Sequence, residues 1–570
     1  MTTPTNLPAD TFKHFAAWLA ALFLVTLGAH LWVVDLYGSP LPLWDQWYQA
    51  DTLFRPWAEG QLTWGEVFSA HSEHRIIVTR LLDMSVIWLN GRWEPLLQMT
   101  VNAFIHAGFA CGLAFALWTY LGRKNGWFIC FLLLPFFALP YGGENAIWGF
   151  NSLWYLVSVF ALAALVGLGL AKAGSRWWWC GLAGAILSLF TIASGPLAPM
   201  AAGGLVLLRL IKQRRLEREK LISLAVCVFF AGLGLSLRTT GQQDIPLQAH
   251  AFTEFATALV RNLTWPFFNA PEMAGLIALP LVVLLVVYLR PGFPATRAAE
   301  FLLGLALWGG LQAVTIAYGR ANYGEEIPAS RYMDVFNLFV IASVFATVLL
   351  AQSWAGPRFP GWAAVLLPLV FAAIILSGLC RISRIVVDNL LAPTRMSTLV
   401  AEERVQTFWI TGEPRELLER PTVRPDPELV LRLVRNPKLQ AILPAACLPP
   451  AAIPVTGRLS AVSQRLQQNS TTILAGGLIL FAGLCGGGLR RGTLGLTRGN
   501  PTGIIALLTV LAALGFVWSE RSVHREAVEY QMQRELAAYF KSSNNLKRAA
   551  IHEHKAEALG KSGKISRAAQ

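Results

Sequence analysis

Three polar stretches carry the residues that could do chemistry. The first, WDQWYQADTLFRPWAEGQLTWGEVFSAHSEHR (44–75), sets Asp45, Asp51, Glu59, Glu66, His71, Glu73, His74 and Arg75 among four tryptophans. The second, YGGENAIWGFNS (141–152), holds Glu144, Asn145 and Trp148. The third, AYGRANYGEEIPASRYMD (317–334), holds Arg320, Tyr323, Glu325, Glu326, Arg331 and Tyr332. A carboxylate in a partly dry, aromatic pocket can take a proton from a hydroxyl. Arginine can grip a phosphate or carboxylate through two parallel hydrogen bonds. His71 and His74 alone, with no third ligand in the pattern, do not make a metal centre.

The rest of the chain must position these groups, and it is mostly hydrocarbon. Of 570 residues 55% are hydrophobic and 14% charged, with a mean hydropathy of +0.49. Soluble domains carry about a quarter charged residues. Charges gathered into short clusters between apolar runs predict an all-α, polytopic transmembrane bundle. Spans of roughly 20 apolar residues are expected near 15–37, 96–121, 127–141, 152–173, 177–195, 199–212, 220–238, 274–290, 299–318, 335–353, 362–380, 471–489 and 503–519, about 13 in all, with 12 or 14 as alternatives. The first run is too long for a signal-peptide core and reads as a retained anchor. Seven cysteines, six of them in or beside apolar runs, give no disulfide framework.

Lys and Arg set the orientation. They gather in the loops at 123–124, 172–176, 212–220, 290–297 and 489–500, whereas 142–151 and 195–198 contain none. The positive-inside rule puts the basic set in the cytoplasm. The opening loop (38–95) and the segments 142–151, 239–273, 319–334 and 381–470 then face outward. The net charge of +14 is thereby explained by topology, with no call for nucleic acid as a partner. The apolar piece 76–91 contains Arg80 and Asp83. Placing such charges at bilayer centre costs about 2.5–3.5 kcal/mol each, so it reads as an interfacial or re-entrant helix. The division is a catalytic membrane module (1–380), a small helical cap (381–470), C-terminal spans (471–519) and a polar tail (520–570). In the tail, a surface helix to Phe540 is expected to give way to a frayed end.

Each candidate also has a structural reading. Tryptophans at membrane edges form aromatic belts, Asp45 can cap a surface helix, and Arg320 and Arg331 can meet lipid head groups. The coincidence of carboxylate, arginine and aromatic in three outward loops favours a site. Span interiors nearly free of charge argue against an ion or proton path.

The layout resembles the GT-C glycosyltransferases, polytopic enzymes that use polyprenyl-phosphate-linked sugars. WDQWYQADTLFRPWAEGQLTW is similar to their acidic first outer loop, and HSEHRIIVTRLL to the interfacial helix that follows it. ENAIWGFN, GRANYGEEIPASRY and the late segment ending PKLQAILP also resemble outer-loop features of bacterial members. The resemblance implies sugar transfer from a polyprenyl-phosphate donor to an envelope glycan or lipid acceptor, among membrane lipids, on the periplasmic face of a bacterial inner membrane. Asp45 would be the general base. Glu73, His74 and Arg75 would shape the acceptor site, and Glu144 and Asn145 would meet sugar hydroxyls. Arg320 and Arg331 would hold the donor phosphate beside Tyr332. No Asp-x-Asp pattern occurs in the opening loop, which leaves a divalent cation (Mg2+ or Mn2+) as an optional addition. An O-antigen ligase or polymerase and a non-catalytic lipid-linked sugar translocator are the alternatives.

Overall fold

The computed structural model describes residues 9–122, 126–239, 241–268, 270–323, 327–354, 361–418, 426–449, 457–491, 529–538, 540–542 and 546–560. Among these residues regular structure is helical, with no strand. Nine helical segments among them are long and apolar enough to cross a membrane, which marks a multi-pass membrane protein.

About 13 spans were expected, and four of those account for the difference (13 − 4 = 9). The segment 177–195 forms a helix only over Arg176–Ser188, 13 residues, and 199–212 forms Leu197–Gln213, 17 residues. Both fall short of a span because the turn through Ser194, Gly195 and Pro196 interrupts the apolar run. The segment 471–489 belongs to a pair of helices, Arg458–Gln468 and Ser470–Gly486, bent by 59°. The fourth, 503–519, lies outside the described residues, as do most of the basic loop 489–500 and Glu325 with Glu326.

The first helix, Ala9–Tyr37, packs along Ser470–Arg491. Gly28 lies against the Leu474 backbone, where a Cβ would come within 2.4 Å of the amide nitrogen, and a Cβ on Gly477 would come within 2.7 Å of the Val25 nitrogen. In lipid there is little hydrophobic force between helices, so close approach through small residues supplies the contact.

Among the described residues, the basic loops at 172–176, 212–220 and 290–297 gather at one end of the bundle. Helices Gly149–Leu170 and Arg297–Gly319 each run from one end of the bundle to the other, about 33–35 Å at 1.5 Å per residue. At one end Arg297 Nη1 donates to Leu170 O (2.9 Å), Lys172 pairs with Glu219 (3.2 Å), and Lys212 Nζ donates to Arg290 O (2.7 Å). A buried pair, Arg209 with Glu300 (3.3 Å), lies beside them. The opposite ends of the same helices reach Phe150 and Arg320, where the loops assigned outward meet. The short helices Arg176–Ser188 and Leu197–Gln213 still alternate between the two ends.

Over the second end lies a smaller core. Helix Pro427–Arg435 and its neighbours place Leu433, Val434 and Leu443 against Trp47, Phe54 and Trp93 of the opening loop. The apolar side of the short helix, Leu429, Val430, Leu433 and Val434, is fully used there. This is the cap, yet the chain has no break at 380: helix runs continuously from Leu366 to Thr411. In the tail, where a frayed end was expected, Leu546–Gly560 is a helix; its Ala549 joins Leu536 and Phe540 against Val400.

Candidate active-site cleft

A cleft of about 930 Å³ opens where the outward-assigned loops converge. Its walls come from 44–52, 69–80, 148–154, 192–197, 235–255 and 314–332.

The segment Ala70 to Arg75 forms a tight turn, although the sequence resemblance suggests that an interfacial helix begins there. His71 and His74 exchange backbone hydrogen bonds (2.8 and 2.9 Å), and Ser72 at the corner takes φ 53. The helix starts only at Ile77 and runs to Asn90. Within it Arg80 is buried, its Nη1 donating to the carbonyls of Glu66, Val67 and Ser69. The turn is tied to the opposite wall: Ser72 Oγ donates to Asp244 (2.7 Å) and Thr239 Oγ1 to Ser72 O (3.2 Å).

Asp45 opens the short helix Asp45–Gln49. Trp44 before it takes φ 43, ψ −108, a conformation costly for a bulky residue, about 1–3 kcal/mol. Such strain concentrates at functional sites, and both Trp44 and Ser72 line the cleft. Asp45 keeps 49% of its side chain exposed and lies 3.7 Å from His71 Nε2. Burial raises its carboxyl, but the hydrogen bond and charge of His71, with Arg331 and His74 beyond, outweigh that and hold it below the ordinary value. Asp45 is thus ionised and available. His74 is neutral: burial, then the charges of His71 and Arg320, pull its imidazole down to about 3. Its Nδ1 accepts from Ala193 N (3.2 Å), so the remaining proton sits on Nε2, 3.9 Å from Glu73.

Both predicted arginines reach the cleft, and each is already paired. Arg320 Nη2 donates to Glu73 (2.7 Å) and lies 3.5 Å from Asp244. Arg331 Nη1 donates to Glu144 (2.9 Å), and its guanidinium lies over the rings of Tyr332 (5.0 Å) and Tyr323 (5.6 Å). Tyr332 meets Trp154 edge-on, and Trp44 packs against Trp148 with centroids 4.2 Å apart.

Asp45, Glu73, His74, Arg320, Arg331 and Tyr332 therefore share one cavity. The structure does not bring three other predicted residues to its surface. Glu144 and Asn145 are buried behind Arg331. Glu144 accepts from the Arg331 side chain, from its backbone N–H (2.8 Å) and from Ser330, while Asn145 donates to Arg331 O and to Asp334. So placed, they position the arginine and stand behind it, away from the cleft surface. Arg75 is a strut, donating to Leu237 O (3.0 Å) and Phe68 O (2.9 Å). Asp244, Arg238 and Trp154 line the cleft without having been singled out from sequence. Asp244 is the one carboxylate in TTGQQDIPLQAH, a segment assigned outward, and that was the available signal.

Beneath Asp45 lies a buried amide network that the sequence reading also missed. Gln46 Nε2 donates to Gln98 (3.0 Å), Gln98 Nε2 to Asp83 (2.6 Å), Gln49 Nε2 to Asp83 (2.9 Å) and Trp93 Nε1 to Gln98 (2.8 Å). The links through Gln46 and Gln49 tie down the helix that presents Asp45. Gly149 makes room: a Cβ there would lie 2.6 Å from Gln98 Cβ.

Among the described residues no group of three or more His, Cys, Asp or Glu is arranged to hold a metal ion. No protein-family model, curated protein or solved structure matches the chain. The functional reading rests on the cleft alone.

Proposed function

We propose that the protein is a membrane glycosyltransferase that moves a sugar from a polyprenyl-phosphate donor to a cell-envelope acceptor. The observation that carries this reading is the convergence of an ionised, half-exposed Asp45, two histidines, four arginines and three tryptophans in one cleft. That cleft lies at the bundle end assigned outward by loop charge. The proposed setting is the periplasmic face of a bacterial inner membrane. Aromatic faces at Trp44, Trp148 and Trp154 suit the C–H surfaces of a sugar. The cleft also reaches Leu235, Val314 and Tyr318, each more than a third exposed on the apolar flank of the bundle, where an isoprenoid tail can lie.

In the proposed reaction the acceptor oxygen forms a bond to the anomeric carbon as its proton passes to the Asp45 carboxylate. The bond from that carbon to the phosphate oxygen breaks, and its electron pair leaves with the phosphate. One displacement inverts the anomeric centre. His71 beside Asp45 keeps the carboxylate charged and oriented, and cationic side chains offset charge developing on the phosphate.

The test is transfer by the purified full-length protein in detergent, given a labelled polyprenyl-phosphate sugar and envelope acceptors. Asp45→Asn is expected to lower turnover by about 10²–10⁴, the usual worth of a positioned base, with donor binding retained. Full activity in that variant would remove Asp45 from the role. Donor that never yields product in any form of the assay would refute sugar transfer itself.

A further inference from the structure

The donor's phosphate was expected at Arg320 and Arg331, but charge pairing in the cleft points elsewhere. Arg320 already serves two carboxylates, Glu73 and Asp244, and Arg331 already serves Glu144. With Asp45 nearby, four carboxylates thus stand around these two guanidiniums. An anion entering there must displace a carboxylate from a partly buried pair and leave it uncompensated, which is costly.

Arg238 is different. It lines the same cleft, is exposed, and among the described residues has no carboxylate within ion-pair distance. Its position is fixed by its chain neighbours. Leu237 O accepts from Arg75 Nε, and Thr239 Oγ1 donates to Ser72 O, so residue 238 is clamped beside the His71–His74 turn. One helical turn earlier, Leu235 is exposed, and across the opening stand Leu247, Phe255, Val314 and Tyr318. A cation whose guanidinium has no partner among the described residues therefore sits where the polar cleft meets an apolar mouth.

We infer that Arg238 grips the phosphate of an isoprenoid-phosphate ligand whose tail leaves past Leu235, Phe255 and Tyr318. This rests on the transferase reading above and replaces its expected phosphate contacts. Arg320 and Arg331 then act as braces that hold Glu73, Asp244 and Glu144 in place. The ligand class is an amphiphilic phosphate: the guanidinium selects the anion, and the mouth selects the chain.

The experiment measures binding of a C55 polyprenyl phosphate to the full-length protein in detergent. Polyprenol, inorganic phosphate and phosphatidylglycerol serve as comparison ligands. The proteins are wild type, Arg238→Ala, Arg238→Lys and Arg331→Gln. Arg238→Ala is expected to weaken polyprenyl phosphate at least tenfold and leave polyprenol unchanged, whereas Arg238→Lys stays within a few-fold of wild type. Thermal melting of Arg238→Ala should match wild type, because the side chain is exposed. Wild type that prefers polyprenyl phosphate over polyprenol, with that preference intact in Arg238→Ala and lost in Arg331→Gln, would overturn the inference and leave the transferase reading standing. Wild type that shows no such preference would sink both. Equal binding of phosphatidylglycerol would make Arg238 a contact for bulk lipid, and equal binding of inorganic phosphate would dismiss the apolar mouth.

Discussion

Replacing Asp83 with asparagine is expected to change how stability depends on pH. Asp83 is 2% exposed and accepts hydrogen bonds from Gln49 and Gln98. Those bonds favour the charged carboxylate, but burial outweighs them and lifts it from the usual 3.8 to about 7. The folded chain thus holds this proton more tightly than the unfolded chain does. The resulting stabilisation is complete below about pH 4 and is lost as pH rises through about 7. A rise of about three pH units corresponds to about 4 kcal/mol. Asparagine keeps the shape and one acceptor but has no proton to lose. Thermal unfolding in detergent from pH 4 to 8 should therefore show wild type losing about 4 kcal/mol relative to Asp83→Asn across that range. Glu94, also pushed up to about 7 by burial, contributes equally to both proteins and cancels. Parallel curves, or wild type gaining on the variant as pH rises, would refute the account of a buried, protonated Asp83 beneath the Asp45 helix.

Three other outcomes follow from the geometry. Gly149→Ala drives a methyl into Gln98 and should cost about 1–3 kcal/mol, read by melting, together with lost turnover as Gln46 is displaced. Ser72→Ala and Ser72→Gly both remove the bond to Asp244, but only glycine relieves the left-handed backbone, so Ser72→Gly should melt as the more stable by about 1 kcal/mol. Single cysteines at the exposed positions Gln61 and Leu216 should react with a membrane-impermeant maleimide from opposite sides of a sealed membrane, Gln61→Cys from the cleft side.

The sequence was most informative where chemistry is local. Apolar run length announced the membrane helices, and the clusters at 172–176, 212–220 and 290–297 marked one end of the bundle. It was silent where partners are distant. Glu144 and Arg331 are 187 residues apart, and nothing in ENAIWGFN says that the carboxylate turns inward to an arginine. Arg75 was expected to help shape the acceptor site, yet its partners are carbonyls, which every residue possesses. Gln46, Gln49 and Gln98 carry no charge, so their joint burial around Asp83 left no trace in composition. Window length set Arg176–Ser188 and Leu197–Gln213 as full spans, but the turn between them shortens both to 13 and 17 residues.

The uninterrupted helix from Leu366 to Thr411 has a mechanical consequence. Its 46 residues extend about 69 Å, more than twice the roughly 30 Å of hydrocarbon it crosses. The membrane stem and the stretch that carries Val405 and Phe408 to the core over Trp47 and Phe54 are joined by a π-helical turn, Val387–Leu391, with no loop between them. A thinner bilayer that tilts the stem swings that stretch with it and loads the seam against Trp47 and Phe54. Acyl-chain length in reconstituted vesicles is therefore expected to act as a lever on the geometry around Asp45, reaching it through the solid body of the protein with no ligand bound.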